Sequence, residues 1–392
     1  MKKSVSILLI ILSICSCKED KKTTTMPEND DTLIVKSLHN LNPSDFKKEI
    51  DGKKTKFYAL TNANGLEVTF TNYGQRLITL YAPDKNGEFA DIVLGPDKLE
   101  GFMEPGGAFF GATIGRYGNR IAKGQFELEG KKYSLVGNNN GNHLHGGTKG
   151  FNAFVWDVDS YSDNAIVFSR TSPDMEMGYP GNLKVIVSYE LTDDNELKID
   201  YSATTDKTTI VNLTHHSFFN LAGESSGNVN EHIMMINADA FTPVDEGLIP
   251  TGEIRKVENT AFDFRTPKPI GQDIDVDTNQ LNYGKGYDHN YVLNKEPLDS
   301  EGNILAAKVL EPESGRTLEV YTNEPGVQFY SGNFLNGTYI GKSKKAYEAR
   351  GSFCLETQHF PDSPNNSDFP STVLEPGEKY HSTCIYKFGV AK

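Results

Sequence analysis

From Lys53 onward, apolar and polar residues alternate along the chain in short runs. Phe57-Tyr58-Ala59-Leu60, Leu66-Glu67-Val68-Thr69-Phe70, Gln125-Phe126-Glu127-Leu128, Leu183-Lys184-Val185-Ile186-Val187 and Glu196-Leu197-Lys198-Ile199-Asp200-Tyr201 all follow a period of two. A period of two predicts half-buried antiparallel strands. Between the runs stand Glu129-Gly130-Lys131, Asp193-Asp194-Asn195 and Asp84-Lys85-Asn86-Gly87, residues that reverse a hairpin at little cost. Helical periodicity is nearly absent, apart from a short turn predicted at residues 44–48. No repeat, low-complexity linker or composition shift follows residue 43, so the expectation is one all-β domain over residues 43–392. Its natural architecture is a large antiparallel β-sandwich.

The first residues carry a different pattern. Lys2 and Lys3 precede an apolar run at residues 5–14, and Cys15, Ser16 and Cys17 follow. A run of that length is too short for a bilayer, which takes about 20 residues, and it reads as a signal peptide over residues 1–16. Ile14-Cys15-Ser16-Cys17 resembles a bacterial lipobox, which implies an acylated Cys17 and an exported, membrane-anchored lipoprotein. Lys18-Glu19-Asp20 resembles a tag for the outer cell surface. Residues 17–42 are rich in Lys, Thr, Asp and Asn and are expected to be a flexible tether. Past the signal only Cys354 and Cys384 remain, both in apolar runs, and two buried thiols are expected rather than a bridge.

Composition narrows the ligands. With 39 Lys+Arg against 53 Asp+Glu the chain carries a net charge of −14, which disfavours nucleic acid and anionic lipid. Membrane attachment is therefore expected through the lipid anchor only. Eight of the cations are Arg, too few for a cluster gripping phosphates, so a neutral small molecule is the better substrate class.

Three polar clusters fall at the ends of predicted strands. The first is Gly115-Arg116-Tyr117-Gly118-Asn119-Arg120-Ile121 with Asn142-His143-Leu144-His145-Gly146-Gly147. The second is Asn212-Leu213-Thr214-His215-His216-Ser217-Phe218-Phe219-Asn220-Leu221. The third joins Asp288-His289-Asn290 to Glu356-Thr357-Gln358. Imidazoles, carboxylates, carboxamides and an Arg together suit a polyhydroxylated ligand and a proton-transferring pair. A transition metal is the rival: His143 and His145 would share one face of a strand, with Asp288 or Glu356 completing a site. Adjacent His215 and His216 point to opposite faces of an extended chain and cannot both ligate one ion. No metal is therefore assigned to catalysis, while the acidic run at residues 273–277 leaves room for a structural Ca²⁺.

These five segments, in this order, resemble the aldose 1-epimerase (galactose mutarotase) family over residues 43–390. The resemblance implies a galactose-mutarotase-like supersandwich and an isomerase that interconverts the α and β anomers of free aldohexoses, glucose and galactose among them, without a cofactor. Glu356 matches the family's catalytic base and His216 its acid. Asn119, Arg120, His145, Asp288 and Gln328 match positions that hold the sugar, and Ser217 and Phe218 are counted with them. On this reading Glu356 is ionised and His216 protonated, and a monomer is expected. Two rivals are a phosphosugar epimerase, disfavoured by few Arg and by export, and a surface sugar-binding lipoprotein without turnover.

Overall fold

Alternation at residues 183–205 becomes a long antiparallel hairpin. Leu183–Leu191 pairs with Glu196–Thr205, Val187 opposite Tyr201 and Tyr189 opposite Ile199. Val185, Val187, Tyr189, Ile199 and Tyr201 are buried, while Lys184 and Glu190 between them are exposed. The computed structural model describes residues 41–104, 109–296 and 299–391. The signal segment, Cys17 and nearly all of the expected tether lie outside those residues. Leu41 is buried in a hydrophobic cluster and the Asn42 side chain accepts from the Ser44 N–H, so packed structure begins two residues before the expected boundary.

That hairpin is the middle of a nine-stranded sheet. Its spatial order is Asp157–Tyr161, Ala165–Ser172, Leu183–Leu191, Glu196–Thr205, Tyr380–Val390, Arg316–Thr322, Ile304–Leu310, Ile233–Ile236 and Lys268–Pro269. A five-stranded sheet has the order Arg255–Lys256, Ala238–Thr242, Asp288–Leu293, Gly326–Tyr330 and Cys354–Gln358. A four-stranded sheet runs in chain order from Phe57–Thr61 to Phe89–Asp91. Strand pairing within all three is antiparallel. One hydrophobic cluster joins them, with Val187 and Tyr201 from the first, Phe329 and Leu355 from the second and Leu60 and Val68 from the third. This is the expected sandwich of large antiparallel sheets.

Turn chemistry acts where the sequence places it. Glu129 and Gly130 both take positive φ between Gln125–Leu128 and Lys131–Ser134, and Asn195 does so at the long hairpin. The predicted helical turn is a 3-10 turn over Pro43–Phe46. Cys354 and Cys384 are free, buried and in separate hydrophobic clusters.

The five-stranded sheet sets up the site through its register. Asn290 lies opposite Gln328 and Gln328 opposite Glu356, while Asp288 lies opposite Tyr330 and Tyr330 opposite Cys354. Directly opposed residues share a face. Asp288, Asn290, Gln328, Tyr330, Glu356 and Gln358 therefore project to one side, and Tyr291, Val327, Phe329 and Leu355 to the core.

Candidate active site

Two loops meet the polar face of that sheet. His145 has φ 50°, and Gly146 after it has φ 82°, the left-handed region that glycine enters without penalty. A Cβ on Gly146 would stand 1.8 Å from the Gly115 carbonyl oxygen, so the backbones of the two motif loops touch only because residue 146 is glycine. The second contact is reciprocal: His145 N–H donates to the Asn119 carbonyl at 3.0 Å, and Asn119 N–H donates to His145 Nδ1 at 3.1 Å. A backbone N–H can only donate, so His145 Nδ1 carries the lone pair and its proton sits on Nε2. Asn212 ties this loop to the strand bearing Glu356, donating to the carbonyls of Gly118 and His359 and accepting from His359 N–H.

His216 arrives on the Thr214–His216 strand, which packs beside Cys354–Gln358. Its Nε2 lies 3.4 Å from Glu356 Oε1, and both side chains are buried. Phe218 stacks on the His216 ring at 4.8 Å between centroids, and Phe109 packs against both His145 and His216. Glu356 Oε2 is buried with no hydrogen-bond partner among the described residues. Across the cleft, Arg120 Nη1 stands 3.8 Å from Asp288 Oδ2, and Gln328 Nε2 donates to Asp288 Oδ1 at 2.7 Å. The cleft holds about 430 Å³ and is walled by Phe109, Phe218, Tyr330, Phe334 and Tyr339 with Asn119, Arg120, Asn139, His145, His216, Asp288 and Glu356 at its polar positions. An aromatic wall with a few convergent polar groups suits a compact polar ring.

Burial decides the charges. It holds the Glu356 carboxyl well above the usual carboxylate range, the Asp288 carboxylate adds to that, and Arg120 opposes it. Burial also pushes the His216 imidazole down to about 3, and takes His145 well below the ordinary histidine value. Both shifts favour the uncharged forms, opposite in direction to the ionised Glu356 and protonated His216 expected of the working pair.

Six of the predicted sugar-site and catalytic residues, Asn119, Arg120, His145, His216, Asp288 and Glu356, converge on the cleft, and Phe218 joins them. Ser217 does not. One residue past the end of the Thr214–His216 strand, it turns to the side of His215, where its hydroxyl bonds His215 Nε2 at 2.9 Å. His215 packs there on Tyr189 and Tyr386, so the two adjacent histidines do face apart. Gln328 lies behind Asp288 rather than on the cleft wall. Of the two arginines in the first motif, Arg116 is structural, buried and bonded to the carbonyls of Ser172, Pro180 and Gly181. Sequence reasoning missed Phe109, Asn139, Phe334 and Tyr339. Tyr330 was within reach, two residues from Gln328 on the same strand face.

The comparisons with known proteins agree with this geometry. The family model for aldose 1-epimerase matches residues 56–387. The chain belongs to the aldose 1-epimerase family. It is 49% identical to the galactose mutarotase of Bos taurus over 326 residues, 83% of this chain and 92% of that protein. Identity to the aldose 1-epimerase of Escherichia coli (strain K12) is 39% over 340 residues, 86% of this chain and 96% of that protein. Among solved structures, an aldose epimerase homologue from C. elegans superposes with a TM-score of 0.79 at 32% identity, covering 86% of this chain and all of that one. The galactose 1-epimerase of Lactobacillus acidophilus gives 0.77 at 30% identity, covering 88% and 98%.

Metal chemistry fits this epimerase site poorly. The rival His143–His145 pair does not form, because the strand ends at Leu144 and His145 turns left-handed. Both His143 nitrogens are engaged, with the Val136 carbonyl and the Tyr179 hydroxyl. His145, His216 and Glu356 do bring one donor atom each within 4.8 Å of one another. Yet the Asn119 N–H leaves His145 with a proton on the nitrogen that would have to ligate. In the acidic run, Asp273 is paired with Lys268, Asp275 with Arg350, and Asp277 accepts from Asn282. Its carboxylates therefore turn outward to separate partners instead of converging as a Ca²⁺ shell requires.

Proposed function

We infer that the protein interconverts the α and β anomers of free aldohexoses by acid/base opening and reclosure of the ring. The observation that carries this is the buried contact between His216 Nε2 and Glu356 Oε1, with the other carboxyl oxygen unpartnered among the described residues. Mutarotation needs a proton removed from the anomeric hydroxyl and a proton delivered to the ring oxygen. A carboxyl and an imidazole in contact supply both acts. Entry of a sugar brings hydroxyl donors to Glu356, which stabilise its carboxylate and favour protonation of His216 beside it. Glu356 then accepts the anomeric proton while His216 protonates the ring oxygen, and the C1 to ring-oxygen bond opens to an aldehyde. Rotation about C1–C2 presents the other face, and reclosure returns both protons. His145 Nε2–H is a fixed donor, while Arg120 and Asp288 grip hydroxyls on the far side. The protein residues suffice for every step, so no cofactor enters. Polarimetry with fresh α-D-glucose and α-D-galactose tests the reading: accelerated approach to the equilibrium rotation is expected, and a rate no faster than buffer would reject it.

The address carried by residues 1–20 completes the proposal: an exported protein anchored through acylated Cys17, with Lys18-Glu19-Asp20 supporting display at the outer surface. Wild type should take up palmitate label and Cys17→Ser should not; unlabelled wild type with another N-terminus would reject the anchor.

A further inference from the structure

We propose that Asn139 is a positioning residue that holds the Arg120 guanidinium apart from Asp288, so that a sugar hydroxyl bridges the two. The inference rests on the reading of this cleft as a sugar site. Arg120 Nη1 and Asp288 Oδ2 are 3.8 Å apart, and both side chains are about nine-tenths buried. Opposite charges in such surroundings ordinarily close to a contact of about 2.7–2.9 Å. Here each is tied from behind. Asn139 Oδ1 accepts from Arg120 Nε at 3.2 Å, and Gln328 Nε2 donates to Asp288 Oδ1 at 2.7 Å. Asn139 is itself fixed by a turn, its N–H donating to the Asn142 carbonyl at 3.0 Å.

A gap of this size matches a hydroxyl. An oxygen about 2.8 Å from each atom spans it with a bent path, accepting from the guanidinium and donating to the carboxylate. Only a group that both donates and accepts satisfies the two at once, which selects a hydroxyl over an ether, an amine cation or a carboxylate. Gln328, expected as a sugar contact, becomes the counterpart of Asn139 on the carboxylate side. Holding the two charges apart before the sugar arrives spares the ligand the work of separating them.

The test uses the whole protein and 1,5-anhydro-D-glucitol, a glucose analogue without an anomeric hydroxyl, so that binding is read by titration calorimetry without turnover. Asn139→Ala should bind it about tenfold more weakly, the loss expected when a hydrogen bond to a charged group is removed. In polarimetry the KM for glucose should rise more than kcat falls. Asn139→Asp keeps the acceptor and should restore affinity. Arg120→Lys has no Nε–H, so in that background Asn139→Ala should weaken binding by less than about twofold. Additive losses there would mean that Asn139 touches the sugar directly, and would overturn the proposal. A crystal structure of Asn139→Ala probes the same point independently: the Arg120–Asp288 distance should close to contact, and persistence of the gap refutes the inference. Weakened analogue binding in a protein that turns over no aldose would leave the clamp standing and remove the mutarotase reading instead.

Discussion

The long hairpin of the nine-stranded sheet and the inner strands of the five-stranded sheet obey one geometric rule with opposite results. In Leu183–Leu191 buried and accessible residues alternate, apolar inward and Lys184 or Glu190 outward. In Gly326–Tyr330 and Cys354–Gln358 every residue is buried, on both faces. One face meets the core and the other meets the cleft, so polar residues that solvent would have hydrated are instead enclosed. The first arrangement yields stability. The second, with His216 packed beside it, raises Glu356, lowers His216 and leaves a carboxyl oxygen unpartnered among the described residues, costs that a ligand can offset.

Substitutions in the two regions should separate these roles. Glu356→Gln and His216→Asn should each lower kcat by roughly 100-fold to 10,000-fold, with thermal melting unchanged or raised, since an enclosed titratable group is removed. If Glu356→Gln kept near wild-type kcat on both sugars, another carboxylate, Asp288 first, would have to be the base. Ile199→Ala inverts the pattern: about 2–5 kcal/mol of stability lost in denaturant melts, with kcat retained below the transition. A large kcat loss from this variant would mean that the wide sheet is coupled to the chemistry.

The pH profile sharpens the comparison further. Acid protonates the imidazole only at the lowered His216 value, and base ionises the carboxyl only at the raised Glu356 value. The acidic limb of kcat/KM therefore belongs to the imidazole and the basic limb to the carboxyl, with both apparent constants properties of the pair. Asp288→Asn removes a charge that raises Glu356 and should move the basic limb to lower pH; an unmoved limb would contradict the assignment. The smallest effect is expected on the solvent side of the wide sheet, where Lys184→Ala should change stability by no more than about 0.5 kcal/mol.

Much of the fold and of the site is legible in the chain because its signals are local. A period of two marks the strands at residues 183–191 and 196–205, and Glu129-Gly130 and Asn195 mark turns between strands. Asn119, Arg120, His145, His216, Asp288 and Glu356 stand out as chemistry-bearing residues at strand ends. Ser217, counted with the sugar-holding positions, instead turns to His215, away from the His216 side, as alternation predicts. His143 is a plausible ligand only if His145 continues the strand. The left-handed turn at His145 depends on how closely Gly146 approaches Gly115, and no short window of sequence contains that distance.

What the sequence determined by itself is therefore the all-β class, the antiparallel hairpins and the kinds of functional group available, since alternation, turn chemistry and residue type act within a few positions. The tertiary structure decided which of those groups meet. Register across Asp288–Leu293, Gly326–Tyr330 and Cys354–Gln358 aligned the carboxylates, and the loop contact at Asn119 fixed the His145 tautomer. Burial from several sheets shifted His216 and Glu356 toward their uncharged forms. Each of these depends on segments up to 240 residues apart, such as Asp362 accepting from the N–H of Ala122 beside the Arg120 loop, and free energies of desolvation and charge pairing exist only once such segments have packed.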